Sequence, residues 1–423
     1  MNPRERIEKI LKHEEPDRIP VDFGGTFQSG IHVSVVNKLR EYYGLSNKIP
    51  VKVVEPFQML GEIADDLKVL LGVDCIGISS KRNQFGFENS NWKRWKLFDG
   101  TDVLVPGEFN TKQEKDGSIL QYPEGDTSIG ACACMPRNGY YFDLIQRQES
   151  IDESNLNIND NLEEFKIIKD EDLKYLEKKA DFLFNNTDYV IIGDFGGTSF
   201  CDMVHIQGSA LKNPKGIRNV EDWYISLITR KNYILDIFNV QCEKGITNLE
   251  KIHDAVGDKI SIISTTAADF GTQNGLFIGL ETYKELIKPF HKKLNDWIHN
   301  NTNWKVFIHS CGAIEPLIPE FIEAGFDILN PIQCTAYGME PKALKKKYGK
   351  DIILWGGGVD TQTTLAFGTG EEVKNEVLER LEIFGKGGGY VFNAVHNIQV
   401  DVPIENFITM IKTVKEYGIL TKD

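Results

Sequence analysis

The sequence predicts an α/β protein built as a (β/α)8 barrel, with a β-rich insertion in its N-terminal part. Three observations carry this. Apolar runs and amphipathic helices alternate regularly from about residue 188 to the end. The runs are near-continuously apolar, as in parallel strands buried on both faces. Polar and ligand-type residues cluster just after those runs, where a barrel of this kind keeps its chemistry.

The elements follow in order. PRERIEKILKH (3–13) reads as a helix with Pro near its start and Ile7, Ile10 and Leu11 on one face. Pro16 ends it, and RIPVDF enters a short strand. Residues 34–44 and 56–71 read as helices, and VDCIGIS (73–79) as a buried strand. Residues 80–150 differ in kind: turn signals such as FDGTD, EKDGS and YPEGD crowd between short apolar stretches, the pattern of β-hairpins. Residues 150–172 are acidic and Asn-rich and read as an exposed connection. Strands are then expected at DYVIIGD, KISIIST, WKVFIHS, FDILNPI, DIILWGG and GYVFNAV. Helices follow them at 221–245, 281–299, 315–324, 341–348, 371–384 and 403–417. Six such units and the N-terminal ones make a single barrel domain over 1–423, with 80–150 as an insertion within it.

Composition narrows the function classes. The net charge is −14, which argues against a nucleic-acid or anionic-membrane surface, since phosphate needs a basic face. No apolar run reaches the roughly 18 residues of a membrane span. The charged opening is no signal peptide. Seven cysteines, an odd count, read as reduced thiols of a cytoplasmic protein.

The strand ends carry Asp22, Asp194, Asp269, His309 with Cys311, Gln333 with Cys334, Asp360, and Asn393 with His396. The sharpest is His309-Ser310-Cys311-Gly312. In a strand, residues i and i+2 share a side, so imidazole and thiolate can converge on one ion, a common zinc pair. A third ligand must come from another strand end: His396 first, Cys334 as the alternative, with Gln333 or a carboxylate able to complete the shell. Three protein ligands suffice where zinc keeps one position open. Asp269 is the candidate catalytic residue, against a structural reading in which it caps its loop. Asp194, Gln273, Gln333 and Asn393 are candidate substrate contacts. Cys132-Ala-Cys134 has no further Cys or His nearby and reads as two small apolar residues on a hairpin. The Gly356–Gly358 and Gly387–Gly389 triplets lack the rest of a phosphate-loop motif and read as tight loop geometry.

These residues resemble the uroporphyrinogen decarboxylase superfamily, and within it the cobalamin-dependent methyltransferase branch. The likeness lies in NPRERIEKILKHEEPDRIPVDF, residues 268–295 opening ADFGTQNG, FIHSCGAIEPLIPEFIEAGFDILNPIQ, WGGGVDTQ and GGGYVFNAVHNIQVDVPIENF. It covers most of 1–75 and 180–420, and it implies a (β/α)8 barrel. In that branch zinc is held by His-x-Cys and a later Cys. His309 and Cys311 match the first pair, and His396 stands where the later Cys is expected, which leaves the zinc less thiolate-rich and more Lewis acidic. Decarboxylases proper carry an Arg-rich MRQAGRY motif for substrate carboxylates; the corresponding VDFGGTFQSGIH has no Arg. The resemblance therefore implies methyl transfer between a small methylated substrate, such as a methoxylated compound, and the cobalt of a corrinoid. None of the eight histidines lies in a D-x-H-x-x-G corrinoid motif, so the cofactor is expected on a partner protein. The alternatives are a decarboxylase and a non-catalytic ligand-binding barrel.

Overall fold

The computed structural model describes residues 1–420. Its centre is a curled, parallel, seven-stranded sheet. The strands are β1 (Cys75–Ser79), β2 (Val190–Asp194), β3 (Ile262–Thr266), β4 (Lys305–His309), β5 (Ile328–Asn330), β6 (Ile353–Trp355) and β7 (Tyr390–Val391). They lie side by side in chain order, each pairing in parallel with the next. Segment 20–22 bridges the two edges. Asp22 N–H donates to Phe392 O at 2.9 Å and Phe392 N–H to Pro20 O at 2.8 Å, while Asp74 N–H donates to Val21 O at 2.8 Å. This arrangement is compatible with a (β/α)8 barrel, and helices fill the connections between successive strands.

Period-two alternation decides what faces inward. Val190, Ile192, Ile262, Phe307, Ile328, Ile353, Trp355 and Val391 pack together inside the sheet. Two residues beyond them along the chain come Asp194, Ser264, His309, Asn330 and Asn393. The inner face is therefore apolar toward the strand starts and polar toward the strand ends. The first helix, Pro3–Ile10, adds Ile7 and Ile10 to the apolar end. It is held by a capping box between Asn2 and Glu5. Asp74, fully buried, ties it down: Arg6 Nη1 donates to Asp74 at 2.6 Å, Arg18 Nη1 at 2.8 Å and Val21 N–H at 2.8 Å.

Residues 93–144 carry six short antiparallel strands in two small sheets. Their aromatic residues pack on one another: Phe142 meets Phe85 and Phe109, and Trp95 meets Phe109. Cys132 is buried there, its thiol against Gln121 O.

Several element readings change. The helix expected at 56–71 begins only at Asp65, because Leu60–Gly61 pairs with Val53–Glu55 and Glu55 caps the turn through Phe57 and Gln58 N–H. The stretch 221–245 is two helices, Val220–Thr229 and Lys231–Val256, broken at Arg230, whose backbone leaves the helical region. The stretch 281–299 splits at Ile287, with Pro289 in the first turn of the second helix. The acidic connection ends in a helix, Asp170–Asn186, with three acidic residues in its first turn. Among the described residues no helix is long and apolar enough to cross a membrane.

Candidate metal centre

His309 is the last residue of β4 and faces inward two positions after Phe307. Cys311 follows on the next loop, and His396 comes from the loop after β7. The structure brings these three together: their ligand atoms lie within 4.8 Å of one another. His309 Nε2 is 3.4 Å from Cys311 Sγ, and the two imidazole centroids are 5.4 Å apart. Donors sharing one tetrahedral zinc stand roughly 3.5 Å apart, so the set closes on an ion with side-chain adjustments of about 1 Å. His309 is buried, while Cys311 and His396 keep partial access to solvent.

The loop bearing Cys311 is pinned from three sides. Cys311 N–H donates to Asp269 Oδ1 at 2.7 Å, Gly312 N–H to Gln333 Oε1 at 2.7 Å and Ala313 N–H to Thr272 O at 2.7 Å. Gly312 has φ +92°, and a Cβ there would meet Gly271 backbone at 2.4 Å. Only glycine permits both that torsion and that approach.

Electrostatics favour a cation here. Burial pushes both His309 and His396 down to about 4, His396 further through His309, so both imidazoles are neutral, the ligand form, at pH 7. Burial pushes the Asp269 carboxyl and the Cys311 thiol up. Burial, with the like charge of Asp202, raises Asp194 to about 6. Among the described residues, no lysine or arginine forms an ion pair with Asp194, Asp202 or Asp269. Two neutral imidazoles, a thiol and an adjoining carboxylate without basic partners form a donor set that suits zinc.

The other expected residues fall in different places. Asp269 lies beside the three, its Oδ1 3.7 Å from His309 Nε2, and also holds the Cys311 backbone. Asp194 ends β2, one strand from β3. Asn393 is buried beside Asp22. Gln333 spends its side-chain oxygen on the Gly312 N–H. Gln273 sits at the exposed rim, donating to Gln362 at 2.8 Å and accepting from Tyr337 N–H. Cys334 stands apart from the three, its Sγ against Ile332 O at 3.3 Å and Gly357 O at 3.8 Å. Sequence reasoning missed Asn330, which receives His309 Nδ1–H at 2.6 Å. Its signal was present: it stands two residues after Ile328 at the end of an apolar run. Asp202, which caps the short helix Met203–Gln207, was also missed; nothing in its local sequence points toward Asp269.

Comparison with known proteins shows what the chain is similar to. Residues 219–417 match Uroporphyrinogen decarboxylase (URO-D). The chain is 33% identical over 90 residues to a uroporphyrinogen decarboxylase of Psychromonas ingrahamii, covering 20% of this chain and 25% of that protein. It is 24% identical over 185 residues to that of Mannheimia succiniciproducens, covering 40% and 49%. The matches thus span between a quarter and about half the length of these relatives. A methyltransferase from Methanosarcina mazei superposes with a TM-score of 0.57 over 99% of both chains, at 16% identity, a likeness of fold. Residues 219–417 are thus similar to the uroporphyrinogen decarboxylase family, within a fold shared along the length of the chain with that methyltransferase.

Proposed function

We propose that this protein is a zinc-dependent methyltransferase. It moves a methyl group between a small methylated substrate, a methoxylated compound, and the cobalt of a corrinoid carried by a partner protein. The observation that supports this is the convergence of His309, Cys311 and His396 at the strand ends of the sheet. When bound, zinc supplies Lewis acidity to the oxygen that the methyl group leaves. Two imidazoles and one thiolate withdraw less of that acidity than a second thiolate would, which favours an ether donor over thiol activation.

The chain's own residues bind and orient. Asp269 fixes the Cys311 backbone through Oδ1, and its carboxylate is 30% exposed, so it can accept a hydrogen bond from substrate. Gln333 holds the turn after Cys311. Asp194 lies on the inner face at the end of β2 and contributes a polar group there, while buried Asn393 supports Asp22. The seven free cysteines accord with a cytoplasmic setting.

The test uses purified protein, added zinc, free cob(I)alamin and a panel of methoxylated aromatics, following loss of the cobalt(I) absorbance. Methylation that disappears in His309→Ala supports the reading. Decarboxylation of uroporphyrinogen without methyl transfer overturns it in favour of the activity named for the sequence relatives.

A further inference from the structure

Hydrogen-bond directions fix the protonation of His309. Asn330 Nδ2 lies 2.9 Å from the Trp355 carbonyl. A carbonyl oxygen only accepts, so the amide nitrogen must face it. The amide oxygen of Asn330 then faces His309 Nδ1 at 2.6 Å. That oxygen also only accepts, so Nδ1 must carry the proton. A neutral imidazole has one N–H, which leaves the lone pair on Nε2. Nε2 is the atom that faces Cys311 Sγ and Asp269.

The chain of constraints runs further down the barrel. Trp355 lies against Phe307, edge to face, with centroids 5.7 Å apart. Its Nε1–H donates to Asp22 Oδ2 at 2.9 Å, and Asp22 Oδ1 accepts Gly25 N–H at 2.8 Å. Asp22, Asn330 and His309 are all buried, so water cannot substitute for these partners. Asp22 belongs to the segment that bridges the two sheet edges, so bridging the sheet and orienting the imidazole are coupled.

We propose that Asn330, itself oriented by the Trp355 carbonyl, is a positioning residue that locks His309 in the Nδ1–H tautomer and presents its Nε2 lone pair to the metal. This rests on the zinc reading above. Outer partners of this kind change metal affinity by about 10- to 100-fold.

Two measurements test it. The first is nitrogen-15 NMR of histidine-labelled, metal-free protein, with the His309 signals assigned by their loss in His309→Gln. Wild type is expected to show the Nδ1–H tautomer, and Asn330→Ala a mixture. The second is zinc affinity by chelator competition. Asn330→Ala is expected to bind about 10- to 100-fold more weakly. Asn330→Asp keeps an accepting oxygen for Nδ1–H but loses the donor to the Trp355 carbonyl, and is expected to bind zinc more tightly than Asn330→Ala and more weakly than wild type. Affinity no better than that of Asn330→Ala, or an Nε2–H tautomer, overturns the proposal. An Nε2–H tautomer in wild type overturns the proposal, whatever the zinc result. So does unchanged zinc affinity in Asn330→Ala. Wild type with the expected tautomer but no zinc affinity overturns the zinc reading, and with it the presenting role. Should Asn330→Ala fail to fold, the wild-type tautomer and Asn330→Asp still decide the matter.

Discussion

Replacing Gln333 by alanine separates a residue that holds the Cys311 turn from one that touches substrate. The side chain is 6% exposed and its Oε1 accepts the Gly312 N–H at 2.7 Å. Gly312 itself sits at φ +92° against the Gly271 backbone, so the turn is closely packed. Orphaning a buried amide costs about 1–3 kcal/mol. That cost falls on the residue next to Cys311, which the proposed zinc site needs in place. The same free energy corresponds to about 5- to 150-fold weaker zinc binding. Chelator competition on wild type, Gln333→Ala and Gln333→Glu measures this directly. The glutamate variant keeps the accepting oxygen and is expected near wild type. Zinc affinity in Gln333→Ala within about twofold of wild type would refute the reasoning. A rise confined to the KM for the methyl donor would instead return Gln333 to the substrate contact that its strand-end position first implied.

Other outcomes follow from the same geometry. His396→Ala is expected to lower zinc content far more than Cys334→Ser, because Cys334 faces backbone carbonyls away from the cluster; elemental analysis of both variants checks the order. Asp74→Ala leaves buried Arg6 short of one partner and is expected to cost about 3 kcal/mol, the low end for a broken buried pair. Arg6 keeps its two bonds to Asp17 at 2.7 and 2.8 Å, and urea unfolding reads the loss. Among the described residues no cation pairs with buried Glu55, and burial pushes its carboxyl from 4.5 up to about 7. The folded state therefore keeps a proton that the unfolded chain releases, and stability falls as pH rises from about 4.5 to 7, by about 3 kcal/mol. Asp194, His309 and His396 also titrate in this window in both proteins, so the stability of wild type minus that of Glu55→Gln, from unfolding midpoints across the range, is expected to show this slope.

Much of the candidate site was legible because strand periodicity is rigid. Once WKVFIH is read as a strand with Phe307 inward, His309 must be inward too, and Cys311 follows on the same side. The same counting places Asp194 and Asn393. It failed for contacts set by loop paths. Nothing in the local sequence says that Gln333 reaches back to Gly312, or that Cys334, one residue later, turns toward Gly357. Helix breaks were missed for a related reason: apolar periodicity continues across Arg230 and Ile287, whereas the backbone does not. Short antiparallel strands do lie between the turn residues of 93–144, which carry their own backbone preferences. The register and pairing of those strands were not readable, being set by packing among Phe85, Phe109 and Phe142.

Metal content tests the proposed zinc centre most directly. Wild type and Cys311→Ser, purified in parallel and dialysed against zinc-free buffer after zinc loading, are to be compared by elemental analysis alongside a folding control by circular dichroism. About one zinc per chain in wild type and little in folded Cys311→Ser is the predicted result. No zinc in wild type, or full retention in both His309→Ala and Cys311→Ser, would contradict it.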